Sequence, residues 1–276
     1  MGDIKVQKSR HRMFTAELNF FGGSVDGSIP YHYVEEPPAG KLKENFKSHS
    51  QNVTIEDIRG REHGFDLDTH AFLPLQDVPT KVTPGFNDEE EIKQVYYPEI
   101  EKLILENVPG VKKAFIFDHT IRRSKPDSHR SPVFRVHIDQ SIESTQQRIK
   151  LHLPDEAADL LKDRYRIINV WRPLNGPVQA TPLALASGAS VKPQVLTPIE
   201  HRYPTRTGQT VAVDYDPDLK WHYWSGMKND EALLIKCSDS ADVPGRGTPH
   251  SAFIDPRTPA GAPGRESIEV RVLVLG

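Results

Sequence analysis

Proline placement constrains this chain more than any other feature. The sequence holds 23 prolines in 276 residues, most of them at the edges of apolar segments: Pro37-Pro38, Pro126, Pro132, Pro204, Pro256, Pro259 and Pro263. A proline supplies no backbone N–H and fixes its own φ, so it starts or ends regular structure and seldom sits inside it. Long helices are therefore disfavoured, and many short elements joined by shaped loops are expected. Between these breaks, residues 114–121, 134–139, 165–170, 210–213, 222–224, 232–236 and 267–275 read as strands. One helix is clear. Asn87 is placed to cap it, Asp88 and Glu89–Glu91 suit the positive end of its dipole, and Ile92, Val95, Tyr96, Ile100, Leu103 and Ile104 repeat at helical spacing. Asn107, Pro109 and Gly110 end it, and a second helix is expected over 154–162, burying Ala157, Leu160 and Leu161. The pattern predicts a mainly β protein: a double-sheet jelly roll, or double-stranded β-helix, with helices flanking one outer face. Residues 1–86 read as an N-terminal cover of strands and loops that extends the core, and 87–276 as the β-helix core with supporting helices, in one continuous domain. No repeat or internal boundary divides them.

Composition narrows the partners. The formal net charge is −3 and no Lys/Arg block stands out, which argues against nucleic acid. The single cysteine, Cys237, excludes an internal disulfide and any cysteine-rich zinc site. No apolar run is long enough to span a bilayer, and residues 1–12 are polar and basic with no apolar stretch behind them. A cytoplasmic protein without a signal peptide, acting on a small molecule, is the expectation.

The run Phe134-Arg135-Val136-His137-Ile138-Asp139 carries the chemistry. Side chains two apart on a strand share a face, so His137 and Asp139 present an imidazole and a carboxylate together. These are two of the three ligands of a facial-triad Fe(II) site. In a chain with twelve histidines the tripeptide alone is a frequent coincidence, and its weight depends on a third ligand. His250, in Thr248-Pro249-His250, is the candidate, and its distance in sequence is no obstacle in a jelly roll. His119 is the rival but has no partner two residues away. His11, His49, His63, His70, His129, His152, His201 and His222 are isolated and read as surface or structural.

Fifteen residues after His250, Arg265 and Ser267 share a strand face. An arginine fork with a neighbouring hydroxyl suits the distal carboxylate of 2-oxoglutarate, whose 2-oxo acid end would chelate the iron. Arg257 and Arg271 are rival anchors. Asn169 and Trp171 share the face of another strand, where Asn169 can meet the cosubstrate and Trp171 can wall the pocket. Tyr223, Trp224 and Met227 either line an apolar substrate cavity or fill the core.

Several stretches in fixed order then carry a resemblance: IEDIRG (55–60), FDHTIRR (117–123), VHIDQS (136–141), RYRIINVWRPLNGPV (164–178), PLALAS (182–187), HYWSGMKNDEALLIK (222–236), TPHSAFIDP (248–256) and RESIEVR (265–271). From about residue 55 to the C-terminus the chain resembles the fungal hydroxylase/desaturase family that includes AsaB, the gibberellin desaturase and CmcJ. The resemblance implies a non-heme Fe(II), 2-oxoglutarate-dependent dioxygenase of secondary metabolism on a double-stranded β-helix. Such an enzyme uses dioxygen to hydroxylate, desaturate or close a ring at an unactivated C–H bond of a small, mainly apolar molecule. It also implies iron ligation by His137, Asp139 and His250, a 2-oxoglutarate anchor at Arg265 with Ser267, and cofactor-binding roles for Asn169 and Arg172. The chain departs from the family pattern at Cys237, where a tyrosine is usual, and at Ser187, where an acidic residue is common. Two other readings are a jelly-roll binding protein without catalysis and an iron oxygenase that does not use 2-oxoglutarate. A zinc hydrolase is disfavoured because no glutamate is spaced as a general base beside the histidines.

Overall fold

The computed structural model describes residues 12–124 and 131–276; His11, Pro126, His129 and the N-terminal stretch expected to hold no signal lie outside them. Among the described residues the strands in chain order are β1 (Met13–Ser24), β2 (Tyr31–Tyr33), β3 (Phe46–Asp57), β4 (Phe72–Leu75), β5 (Lys113–Arg123), β6 (His137–Ile138) and β7 (Tyr165–Pro173). Then come β8 (Leu183–Ala186), β9 (Leu196–Arg202), β10 (Thr207–Val213), β11 (Trp221–Tyr223), β12 (Ala232–Asp239), β13 (His250–Ala252) and β14 (Glu266–Leu275). They form a nine-stranded sheet, ordered β1-β3-β11-β8-β13-β6-β10-β9-β2, and a five-stranded sheet, ordered β4-β12-β7-β14-β5. The two pack face to face as the expected double-stranded β-helix.

The five-stranded sheet is covered on both sides, and strand alternation shows how. In β14, Ile268, Val270, Val272 and Val274 join Ile168 and Val170 of β7 against Ile92, Tyr96, Ile100 and Ile104. Those four belong to a helix over 89–107 (α1), packed on the outer face. The opposite faces of the same strands, Ile167, Trp171, Leu233, Ile235 and Leu273, meet Leu18, Phe20, Ile55, Val136 and Val213 of the larger sheet. All nine residues of β7 are buried, as a strand at the centre of a sheet covered on both faces must be.

Residues 13–86 contribute strands to both sheets: β1 and β3 pair antiparallel along almost their whole length, and β4 joins the five-stranded sheet beside β12. The cap of α1 is Asp88, whose carboxylate accepts from the backbone N–H groups of Glu90 and Glu91. Asn87 instead accepts a hydrogen bond from Arg123 at 3.0 Å. A helix not anticipated from sequence, α2 (Ile142–His152), is capped by Ser141. It lies against β7, β10 and β12, bridging the two sheets. The last helix, α3, is a single short turn, Ala157–Leu160, with Ala157 buried and Leu160 and Leu161 half-buried.

Candidate metal and cosubstrate site

The short strand β6 sits between β13 and β10, and His137 stands directly opposite His250 in the β6–β13 ladder. Cross-strand neighbours lie side by side, and the two imidazole centroids are 4.5 Å apart. Asp139, just past β6, lies 3.3 Å from His137 Nε2 and 3.8 Å from His250 Nε2. One ligand atom from each of the three residues falls within 4.8 Å of the others.

The tautomers suit a metal. His137 Nδ1 donates to the Arg135 carbonyl at 2.7 Å and His250 Nδ1 to the Thr248 carbonyl at 3.1 Å. Each ring is thereby held by the residue two positions earlier, and both Nε2 lone pairs are left for a ligand bond. Burial, reinforced by the neighbouring His137, pulls the His250 pKa down to about 4 against the opposing charge of Asp139. It is therefore a neutral, metal-competent imidazole at pH 7. Burial alone would raise the Asp139 pKa, but the His137 and His250 imidazoles beside it hold it well below the carboxylate range. Asn169 Nδ2 donates to Asp139 Oδ2 at 2.6 Å and fixes the carboxylate's orientation. Cys237 lies buried with Sγ 3.9 Å from the same oxygen.

A small cavity beside the triad is walled by Trp171, Leu183, Arg265 and Glu269. Arg265 is 3% exposed, stands 5.3 Å over Trp171 and donates to the Thr181 carbonyl at 2.8 Å. It has no carboxylate partner among the described residues, and its Nε is buried without a hydrogen bond. Burial and the nearby Arg122 pull its pKa down to about 10. Burial and the charge of Asp139 push that of Glu269 up. A buried, unpaired guanidinium is costly to keep, and a bound carboxylate relieves it. The rival anchors are already engaged: Arg257 holds Asp255 and the Tyr223 hydroxyl, and Arg271 holds Asp118 and Thr120. Ser267 is buried in β14 on the Arg265 side of the strand.

The structure brings His137, Asp139, His250, Asn169, Trp171 and Arg265 together and sends the other candidates elsewhere. Arg172 is on the opposite face of β7 from Asn169. It lies 5.4 Å from the centre of the Tyr96 ring and donates to the Val78 carbonyl, so it does not meet a cosubstrate at the triad. Positions 169 and 172 have opposite parity along a strand, a signal present in the sequence. Tyr223, Trp224 and Met227 line neither cavity at the triad and belong to the core. Tyr223 packs on Phe14 and Phe253, and Trp224 donates to Glu62 at 2.9 Å. His119 hydrogen-bonds Tyr97 at 2.8 Å, away from the triad. Residues not anticipated are Glu269 and Arg122, together with a larger cavity of about 440 Å3 that also opens on His137 and Asp139.

Similarity to known proteins agrees with this geometry. Residues 18–275 match a family described as an oxidoreductase/YMDC permease-like domain. The chain is 36% identical to the hydroxylase/desaturase poxK of Penicillium oxalicum over 90% of this chain and 86% of that one. It is 30% identical to the Fe(II)/2-oxoglutarate-dependent dioxygenase nvfI of Aspergillus novofumigatus, over 95% and 96% of the two chains. The solved structure of the iron and alpha-ketoglutarate-dependent endoperoxidase NvfI superposes with a TM-score of 0.86 at 28% identity, covering 96% of this chain and 99% of that one. The donor set, the buried unpaired arginine and these relatives agree: the chain belongs to the Fe(II)- and 2-oxoglutarate-dependent hydroxylase/desaturase family of fungal secondary metabolism.

Proposed function

We propose that His137, Asp139 and His250 hold the Fe(II), and that Arg265, with Ser267 beside it, seats the distal carboxylate of 2-oxoglutarate. The observation that carries this reading is the β6–β13 pairing, which puts His250 opposite His137 with Asp139 touching both. Bound there, Fe(II) and 2-oxoglutarate supply the dioxygen activation that C–H oxidation requires. The remaining work falls to the protein's side chains. Asn169 orients Asp139, the two Nδ1–carbonyl hydrogen bonds fix the imidazoles, and Trp171 and Leu183 keep the cosubstrate cavity dry. A small secondary metabolite occupies the larger cavity, its body against Val133, Leu151 and Ile199, so that one C–H bond faces the metal.

The test is anaerobic titration with Fe(II) and 2-oxoglutarate, read by the charge-transfer absorption of a chelated 2-oxo acid, beside succinate formation in air. His137→Ala should abolish both; unchanged signals would remove the iron assignment. Arg265→Ala should raise the 2-oxoglutarate KM roughly 10–100-fold, the worth of a lost charge-assisted pair. No change there would leave an iron oxygenase that does not use this anchor.

A further inference from the structure

The larger cavity differs from the mainly apolar pocket expected from sequence. Arginines reach it from four directions: Arg148 from α2, Arg206 from the turn between β9 and β10, Arg135 from the segment before β6, and Arg122 and Arg271 from the five-stranded sheet. Arg271 is neutralised by Asp118 at 2.6 Å and Arg135 pairs with Glu44 at 3.4 Å. Arg148 and Arg206 are not neutralised. The Arg148 guanidinium lies 4.9 Å over Phe117 and that of Arg206 3.8 Å over Tyr203. Neither has an ion-pair or hydrogen-bonding partner for its guanidinium among the described residues. Burial, together with the positive charges of Arg206 and Arg271 against the opposing Asp118, pulls Arg148 below its ordinary range. Folding gains nothing from like charges gathered in a concave site, whereas a cleft lined by one sign concentrates an oppositely charged ligand. Each guanidinium lies over an aromatic ring and keeps N–H groups for a forked, planar acceptor.

We propose that the substrate carries an oxyanion, a carboxylate or sulfonate-like group, seated between Arg148 and Arg206, with its apolar body on Val133, Leu151 and Ile199 reaching toward His137. This rests on the reading that the triad holds the iron. It makes Arg148 and Arg206 specificity-determining residues that orient the substrate by its charged end. The cosubstrate and the substrate then have separate cations: Arg265 in the small cavity and the Arg148–Arg206 pair in the large one.

Two fluorescent probes of similar shape test it, the anionic 8-anilinonaphthalene-1-sulfonate and the uncharged N-phenyl-1-naphthylamine. Each is titrated into anaerobic protein loaded with Fe(II) and 2-oxoglutarate. The sulfonate is expected to bind about tenfold or more tighter than the neutral probe. Arg148→Met with Arg206→Met should erase that preference while leaving the neutral probe's affinity and the 2-oxo acid charge-transfer band unchanged. Lysine at both positions should restore most of it. Equal binding of the two probes by the wild type, or an unchanged preference in the Met pair, overturns the proposal. So does loss of 2-oxoglutarate affinity in the Met pair, which would make these cations the cosubstrate anchor. A wild-type protein that shows no charge-transfer band fails the iron reading alone, and the probe preference still decides the anion site.

Discussion

At the scale of single residues, the site depends on hydrogen bonds that set protonation and orientation. Asn169 illustrates this: its amide donates to Asp139 at 2.6 Å, while its Oδ1 is buried without a partner among the described residues. Asn169→Ala should weaken Fe(II) binding roughly 10–100-fold, as removal of groups that orient metal ligands does, with the fold retained. Competition titration against a chromophoric chelator would show it, and unchanged affinity would reduce Asn169 to core packing. His222, far from the metal, gives a pH prediction. Burial pulls its pKa down to about 4, with Glu56 opposing. The unfolded chain binds a proton near 6.5 that the folded chain refuses until about 4, so ν_U exceeds ν_N in between and stability falls as pH drops. By pH 5 the loss from this residue is about 2 kcal/mol. Urea denaturation at pH 5 and 7 should show that His222→Gln shrinks the pH dependence by about that amount. The His137–Asp139 pair was legible in sequence because strand alternation is local. The burial of His222 was not, because it depends on Phe65 and Phe72 packing against it from distant segments.

At the scale of elements, α1 shows where sequence pattern works and where it slips. The apolar spacing found the buried face correctly: Ile92, Tyr96, Ile100 and Ile104 are buried, and Val95 and Leu103 half-buried. The cap was misplaced by one residue, because Asn87 and Asp88 are both good caps and the choice depends on Arg123, which occupies Asn87. Asp88→Ala should cost about 1 kcal/mol of stability and Asn87→Ala less for the helix itself, measured by urea melts. Equal costs for the two would contradict the cap assignment. α2 escaped sequence reading because its buried side, Ser144, Thr145 and Ile149, is mostly polar. Thr145 satisfies itself on the Ser141 carbonyl and on Ser238 at 2.5 Å, a contact no periodicity reports. Arg172 was grouped with Asn169 as part of one motif; the alternation of β7 separates them onto the two faces of its sheet.

At the scale of the whole molecule, the proposed site links metal, cosubstrate and fold, since the three proposed ligands lie on β6, just past its end, and on β13, segments that meet only in the folded state. Fe(II) alone at about 100 times its Kd should stabilise the protein by about 2.7 kcal/mol under anaerobic conditions, raising Tm by several degrees, and 2-oxoglutarate should add to the shift. Asp139→Ala should remove the shift, and calorimetry would measure both; a shift that survives the substitution would place the ligands elsewhere. No helix among the described residues is long and apolar enough to cross a membrane. The sequence by itself determined the strand-rich fold class and marked His137, Asp139, His250 and Arg265 as the candidates for the proposed site, because alternation, spacing and motif order are carried by neighbouring residues. Tertiary structure alone decided that His250 faces His137 across a ladder, that Tyr223, Trp224 and Met227 serve the core, and that Arg148 and Arg206 meet in one cavity. Those outcomes depend on which distant strands become neighbours, and that is set by packing both faces of two sheets at once rather than by any local run of residues.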